Sequence, residues 1–134
     1  MENTIANLNI DMIGRIDPNQ KDDADYVYLI GSDMLSQDLH DISEAANKTS
    51  VNMRLDYSYN GKDDPNRFYY RSDHYNFAKN DVPVIFYFNG VHEDYHKATD
   101  TPDKIEYELY QRRIKLIFAT AWDVANADQR PALK

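Results

Sequence analysis

The sequence of 134 residues contains no cysteine. Disulfide bonds and thiolate metal sites are therefore excluded, and carboxylates and histidines are left as the side chains that can bind a metal ion. The histidines are His40, His74, His92 and His96. His40 falls beside the polar face of a predicted helix, so we interpret it as a solvated histidine and not as a ligand.

Long apolar runs and an excess of basic residues are also missing. No stretch approaches the roughly 20 apolar residues that a membrane-spanning helix needs. Residues 1–20 lack the basic-then-apolar pattern of a signal peptide. The chain has 15 basic and 23 acidic residues, for a net charge of −8. This balance disfavours nucleic acid and anionic lipid as partners.

The length and the 42% hydrophobic content are enough for one domain and not for two. No internal repeat, low-complexity tract or linker divides the chain. We therefore expect a single domain over residues 1–134.

Hydrophobic periodicity and turn residues predict four strands and three helices. The strands are expected at Thr4–Ile13, Tyr26–Gly31, Met53–Tyr57 and Val82–Phe88. The helices are expected from Ser32 or Asp33 to about Asn47, over Asp73–Lys79 with Ser72 as the N-cap, and onward from Thr101-Pro102-Asp103. This order predicts an α/β fold with a mixed, largely parallel sheet flanked by helices. The polar stretch from Arg15 to Asp25 is predicted to be a surface loop without a chemical role.

The last helix has apolar residues at intervals of three and four, which is typical of one buried stripe. Its members are Tyr110, Ile114, Ile117, Phe118, Ala121, Trp122 and Ala125. We expect this stripe to belong to the core.

The strand Val82–Phe88 ends at Asn89-Gly90 and leads into a loop rich in histidines and acids. In open α/β sheets, ligands bind beyond the carboxyl ends of such strands, so chemistry is expected here. Residues 92–96 match H-E-x-x-H, which binds zinc only from an uninterrupted helix. The Asn-Gly break upstream and Pro102 downstream exclude that helix.

Asp11, near the end of the first strand, either caps a turn, pairs with a base or binds a metal.

Three segments in this order resemble the C-terminal half of a co-catalytic zinc aminopeptidase. They are residues 9–14 (NIDMIG), residues 71–77 (RSDHYNF) and residues 94–101 (DYHKATDT). The family is the bacterial leucyl aminopeptidase and aminopeptidase S group, to which glutamate carboxypeptidase and glutaminyl cyclase are distantly related. The resemblance runs from about residue 5 to about residue 127, and it implies part of a zinc-exopeptidase fold.

In that family two zinc ions bridged by an aspartate activate a water, and a glutamate is the general base. The resemblance implies that Asp11 binds one zinc and His96 the other. Both follow strands that end at a Gly or Asn-Gly break, so we expect them at the same edge of the sheet. The resemblance and their positions make four further residues candidates near the metals or in the substrate pocket. They are Asp73, His74, Tyr95 and Asp100. For Asp73 and His74, capping and packing are alternative roles.

The remaining metal ligands and the general-base glutamate of the family have no counterpart in this chain, where no Glu-Glu pair occurs. The resemblance therefore implies a C-terminal fragment with no catalytic residue of its own. We expect it to be inactive alone and to hold zinc weakly or not at all. The intact enzyme would remove N-terminal residues from peptides in an extracytoplasmic location, periplasmic or secreted.

Two alternative functions remain open. One is a non-catalytic binding or assembly module derived from this fold, and the other is a zinc acyltransferase of the glutaminyl cyclase type. An incomplete α/β domain also leaves a sheet edge unpaired, and such edges recruit further chains. We therefore expect a homo-oligomer formed through that edge.

Overall fold

Four strands form one mixed sheet in the order β1-β4-β2-β3 in the computed structural model, which describes all of residues 1–134. The strands are β1 (Asn7–Ile10), β2 (Tyr26–Ile30), β3 (Arg54–Asp56) and β4 (Val84–Phe88). β1 pairs in parallel with β4, and β2 in parallel with β3, whereas β2 and β4 are antiparallel. The α/β class and the mixed sheet are thus confirmed.

β2 and β4 form the centre of the sheet because both are continuous runs of apolar and aromatic residues. Every residue in each of them is buried, as expected for strands covered on both faces. β1 and β3 are the two edges and are only partly buried. They are also shorter than the predicted strands, since residues 4–6 and 11–13 lie outside β1, and Met53 and Tyr57 lie outside β3.

The helices are α1 (Gln37–Thr49), α2 (His74–Ala78) and α3 (Tyr107–Asn126). Three-residue 3-10 turns lie at Pro18–Gln20, Phe68–Tyr70 and Pro102–Lys104. One face of the sheet is covered by α1 and α3. The side chains of this face that pack in the core are Val27, Leu29, Ile85 and Tyr87. The other face is covered by α2 and the Phe68–Tyr70 turn. No helix combines the length and the apolar character that crossing a lipid bilayer requires.

Two of the three helices begin several residues later than predicted. α1 begins at Gln37, because the hydroxyl of Ser36 accepts a hydrogen bond from the backbone N–H of Leu39 and so caps the helix. The Thr101-Pro102 sequence begins only a 3-10 turn, after which Ile105 is extended. α3 therefore starts at Tyr107.

The predicted buried stripe of α3 is confirmed only for Ile117, which is buried, and Tyr110, which packs against the core. It is wrong for its other five members, which are exposed. Phe118 and Trp122 are 65% and 60% exposed, and Ile114 is 40% exposed. The residues of α3 that are buried are Arg113, Leu116, Ile117 and Thr120. Intervals of three and four fit either face of this helix, and the face that packs inward is the one that carries Arg113.

Arg113 is fully buried and donates hydrogen bonds to four backbone carbonyls. Nη1 donates to Ile13 at 2.7 Å and to Arg15 at 3.0 Å, Nε to Tyr26 at 3.2 Å and Nη2 to Ala24 at 3.4 Å. Burial lowers the pKa of its guanidinium to about 10, so the group is charged at neutral pH. α3 is thus tied to the segment after β1 and to the start of β2.

We expect Arg113→Met to destabilise the protein by about 3–5 kcal/mol, because the substitution leaves buried carbonyls without donors. The matched control is Arg112→Met. Arg112 pairs with Asp25 at 2.8 Å, but its side chain is 38% exposed, so we expect a loss of at most about 1 kcal/mol. Urea unfolding followed by circular dichroism measures both. Equal losses in the two variants would contradict the role assigned to Arg113.

Candidate functional site

The carboxyl ends of β1 and β4 meet at one edge of the sheet, because these two strands are parallel neighbours. Asp11 is the first residue after β1, and its N–H donates to the carbonyl of Tyr87 at 3.3 Å. Residues 89–101 follow β4 and form turns without a helix. The H-E-x-x-H match is therefore not helical, in agreement with the sequence analysis. The structure brings Asp11 and the loop that carries His96 to the same edge.

Asp11 is half-buried, and its Oδ2 accepts a hydrogen bond from the hydroxyl of Ser72 at 2.8 Å. The same hydroxyl accepts a hydrogen bond from Nδ2 of Asn9 at 3.0 Å. The prediction that Ser72 caps a helix is wrong, since the N-cap of α2 is Asp73, which makes no side-chain capping bond. Ser72 instead orients the carboxylate of Asp11, and its hydrogen bond occupies one of the two carboxylate oxygens.

Tyr95 and His96 are stacked, with ring centroids 3.9 Å apart and an interplanar angle of 22°. His96 is exposed and has a left-handed backbone, with φ of 56°. Tyr95 and Asp11 line one small cavity of about 30 Å³, whose other walls are mainly apolar. The remaining lining residues are Met12, Phe68, Arg71, Phe86, Phe88 and Val91. Asp11 thus lies beside a narrow apolar recess, next to the His96 loop.

The two predicted ligands do not complete a metal site. An aspartate oxygen and an imidazole nitrogen suit zinc, but zinc sites use three or four protein ligands. No group of three His, Cys, Asp or Glu side chains in this chain is arranged to hold a metal ion. The residues present therefore do not fit a whole zinc site. The ligand roles of Asp11 and His96 stay predictions.

His74 is the first residue of α2 and is fully buried against β4. Its Nε2 donates to the carbonyl of Tyr69 at 2.7 Å, and its ring stacks on Phe86 with centroids 4.6 Å apart. Burial lowers the pKa of His74, so the ring is neutral and its contacts are those of a packing residue. Asp73 is exposed at the start of α2. Its place near a metal stays a prediction.

A network that we call the ionic clamp joins the segment after β1 to the loop after β4. Arg15 donates from Nη2 to Asp94 and from Nη1 to Asp100, both at 3.0 Å. Lys104 donates to both oxygens of Asp94 at 2.9 Å. His92 Nε2 lies 3.8 Å from Asp100. Asp100 therefore lines a different cavity from Asp11, one of about 270 Å³ shared with Arg15 and His92.

Asp94 is the centre of the clamp. The hydrogen bond from Lys104 is the largest cause that holds the pKa of this carboxyl well below its usual range, and Arg15 acts in the same direction. Asp94 also accepts the backbone N–H of Lys97 through its carbonyl, at 2.9 Å. The loop that carries His96 is thus fixed by charge as well as by turns.

The stretch Arg15–Asp25 is not the inert surface loop that we predicted. Asp17 is 4% exposed, and Tyr28 donates to its Oδ2 at 3.2 Å. Gly90 lies against it with φ of 91°, and a Cβ on Gly90 would be 2.5 Å from that oxygen. Sequence reasoning also missed Arg15 and the clamp. The only sign of the Asp17–Gly90 contact in the sequence is the Asn89-Gly90 pair. Such a pair favours positive φ, but it does not show which residue packs against the glycine.

The protein is thus of the α/β class, and polar side chains gather beyond the carboxyl ends of two of its parallel strands, as in many α/β enzymes. The sequence profile of peptidase family M28 matches residues 1–121, and the chain belongs to this family. Members of the family are generally zinc-dependent.

The chain is similar in structure to the LapA aminopeptidase of Legionella pneumophila, known from a crystal structure. The TM-score is 0.71 at 20% sequence identity, over 93% of this chain and 32% of that chain. This likeness supports the fold, and the chain spans about a third of the length of that aminopeptidase. No curated protein sequence gives a significant match.

We expect Asp94→Asn to loosen the loop, because a neutral amide pairs less strongly with Arg15 and Lys104. Hydrogen exchange should become faster at the amides of Tyr95 and Lys97, which are bonded within the loop. The control is Asp128→Asn, an exposed acid near the C-terminus. Unchanged exchange in Asp94→Asn would contradict the clamp.

The same variant gives a pH test. A carboxyl whose pKa is lowered by folding stabilises the protein above its unfolded-state pKa, near 3.8, and loses that contribution as pH falls further. The native protein should therefore be more stable than Asp94→Asn at neutral pH. The difference in urea midpoint should shrink below about pH 4. A difference that grows on acidification would show the opposite sign and rule out this cause.

Proposed function

We propose that this chain is part of the catalytic domain of a zinc-dependent aminopeptidase, which removes N-terminal residues from peptides. The observation that carries the proposal is the placement of Asp11 and the Tyr95–His96 pair at one edge of the sheet. Membership of peptidase family M28 supports the peptidase class. In the intact enzyme, zinc would activate water and polarise the scissile carbonyl.

In this proposal the chain supplies one ligand for each of two zinc ions, Asp11 and His96. The other ligands and the general-base glutamate come from residues outside this sequence. This division agrees with the lack of any three-ligand group here. It also agrees with the share of LapA aminopeptidase that the chain spans, 32%.

The other residues at this edge of the sheet hold Asp11 and the His96 loop in position. Ser72 holds the carboxylate of Asp11 in one orientation. The clamp through Arg15 and Asp94 holds the His96 loop beside it. The recess beside Asp11 is lined mainly by apolar and aromatic side chains, and its volume of about 30 Å³ has room for a water but not for a peptide side chain.

A non-catalytic module built on the same fold is the second candidate. The exposed aromatic pair Phe118 and Trp122 on α3 favours it, because such residues are common in interfaces. The two candidates predict different behaviour at the sheet edge, where only the peptidase proposal requires a metal.

The ligand assignment can be tested by adding zinc to the chain and following backbone amides by NMR. We expect weak binding, with shifts confined to Asp11, Met12, Tyr95 and His96. His96→Ala should remove the shifts at Tyr95 and His96, and Asp11→Asn those at Asp11 and Met12, because each residue is assigned to a different zinc ion. His92→Ala, on the same loop, is the matched control and should leave the shifts unchanged. Shifts that depend on His92 and not on His96 would reject the assignment.

Activity is measured in parallel with an aminoacyl chromogenic substrate. The chain with added zinc should give no chelator-sensitive hydrolysis, because two ligands do not make a catalytic site. Stoichiometric zinc together with chelator-sensitive hydrolysis would mean that the chain holds a complete site. The proposed division of ligands would then be wrong.

A further inference from the structure

Arg71 lies at the candidate site and has no carboxylate partner. Its side chain lines the recess beside Asp11, together with Tyr95, and it forms none of the ion pairs of the chain. Arg15 and Lys104, which also lie near this edge, are already occupied in the ionic clamp. The positive charge of Arg71 is therefore available to a ligand.

The Arg71 side chain is exposed, yet two contacts hold its guanidinium in place. The guanidinium carbon lies 4.9 Å from the centroid of the Phe68 ring, and Nη1 donates to the carbonyl of Asn66 at 3.2 Å. These contacts use one face and one N–H of the group, so most of its N–H donors remain free. A guanidinium that is already ordered loses less conformational entropy when it binds a ligand.

We propose that Arg71 binds a carboxylate of the peptide substrate and so selects peptides with a carboxylate next to the scissile bond. This role rests on the proposed function, because it needs a peptide held at the edge of Asp11 and His96. The parallel N–H groups of a guanidinium match the two oxygens of a carboxylate. The recess of about 30 Å³ has room only for a water, so the carboxylate binds at its rim.

Two parts of a peptide carry such a carboxylate. In a dipeptide it is the C-terminus, and in a longer peptide it is an acidic side chain. Both belong to the residue that follows the scissile bond, and one extended residue spans about 3.5 Å. This is a short reach at a recess that Asp11 and Arg71 both line.

The charge of the whole chain does not explain carboxylate binding at this place. The net charge is −8, so the long-range field repels anions. Asp11 lies on the same recess and is not paired with Arg71. A carboxylate that binds here must therefore gain its attraction from direct contact with the guanidinium.

Arg67 is a matched control on the same turn. Its guanidinium carbon lies 5.0 Å from the centroid of the Tyr70 ring, and its side chain is also exposed and forms no ion pair. Unlike Arg71, it does not line the recess beside Asp11. Comparing the two arginines separates a contact with Arg71 from the general effect of one positive charge.

The experiment is an NMR titration of the full 134-residue chain, with a chelator present and no zinc added. The probes are alanyl-alanine, alanyl-alanine amide, and alanyl-glutamate amidated at its C-terminus. We expect the backbone amides of Phe68 and Arg71 to shift with a carboxylate probe and not with alanyl-alanine amide. A response to alanyl-alanine identifies the C-terminus as the source, and a response to amidated alanyl-glutamate identifies the acidic side chain.

Arg71→Gln should weaken this binding about fivefold or more, which is the loss of one exposed ion pair. Arg67→Gln should bind like the parent chain, and added salt should weaken binding in both the parent and Arg67→Gln. Both arginines are exposed, so the circular dichroism spectra of the two variants should match that of the parent.

Equal shifts with alanyl-alanine amide would overturn the proposal, because the carboxylate would then not be recognised. Equal weakening in the two variants, or no shift with any probe, would overturn it as well. Zinc is absent from this titration, so its failure leaves the zinc ligands unaffected. Failure of the zinc titration with carboxylate binding intact would instead reject the peptidase proposal.

Discussion

Arg113 reaches from α3 to the end of β1 and the start of β2, where its guanidinium donates to four backbone carbonyls. The carbonyls of Ile13, Arg15 and Ala24 lie outside the strands, so a donor from elsewhere must satisfy them. The carbonyl of Tyr26, at the start of β2, also accepts a hydrogen bond from Nδ2 of Asn89. One fully buried side chain thereby fixes the turn after Asp11 and the rotation of α3. The exposed stripe of α3 follows from the same constraint, because the face that holds Arg113 cannot also point outward.

Charge fixes the other side of the same edge. The carboxylate of Asp94 is held between Arg15 and Lys104, and this joins the segment after β1 to the loop after β4. Asp11 is held separately, through Ser72. The candidate site therefore depends on contacts between residues far apart in sequence. Among the residues that make these contacts, only Asp11 is a predicted metal ligand.

The regular elements and the edge that carries the site could be predicted because they depend on local patterns. The buried runs of β2 and β4 are visible as continuous apolar stretches, and a loop that gathers acids and histidines after such a strand points to an α/β ligand edge. Helix starts were less predictable. Ser36 and Ser72 are equally good caps by type, yet one caps α1 and the other bonds Asp11.

The sequence by itself determined the α/β class, the four strands, and the family motifs around Asp11 and His96. These features follow from side-chain periodicity and residue type, which are properties of short segments. Only the tertiary structure decided which face of α3 is buried, that Asp17 lies beneath Gly90, and that Asp94 is enclosed by two cations. The reason is physical. Intervals of three and four in α3 fit two faces of one helix, and the choice between them depends on unpaired carbonyls that belong to other parts of the chain.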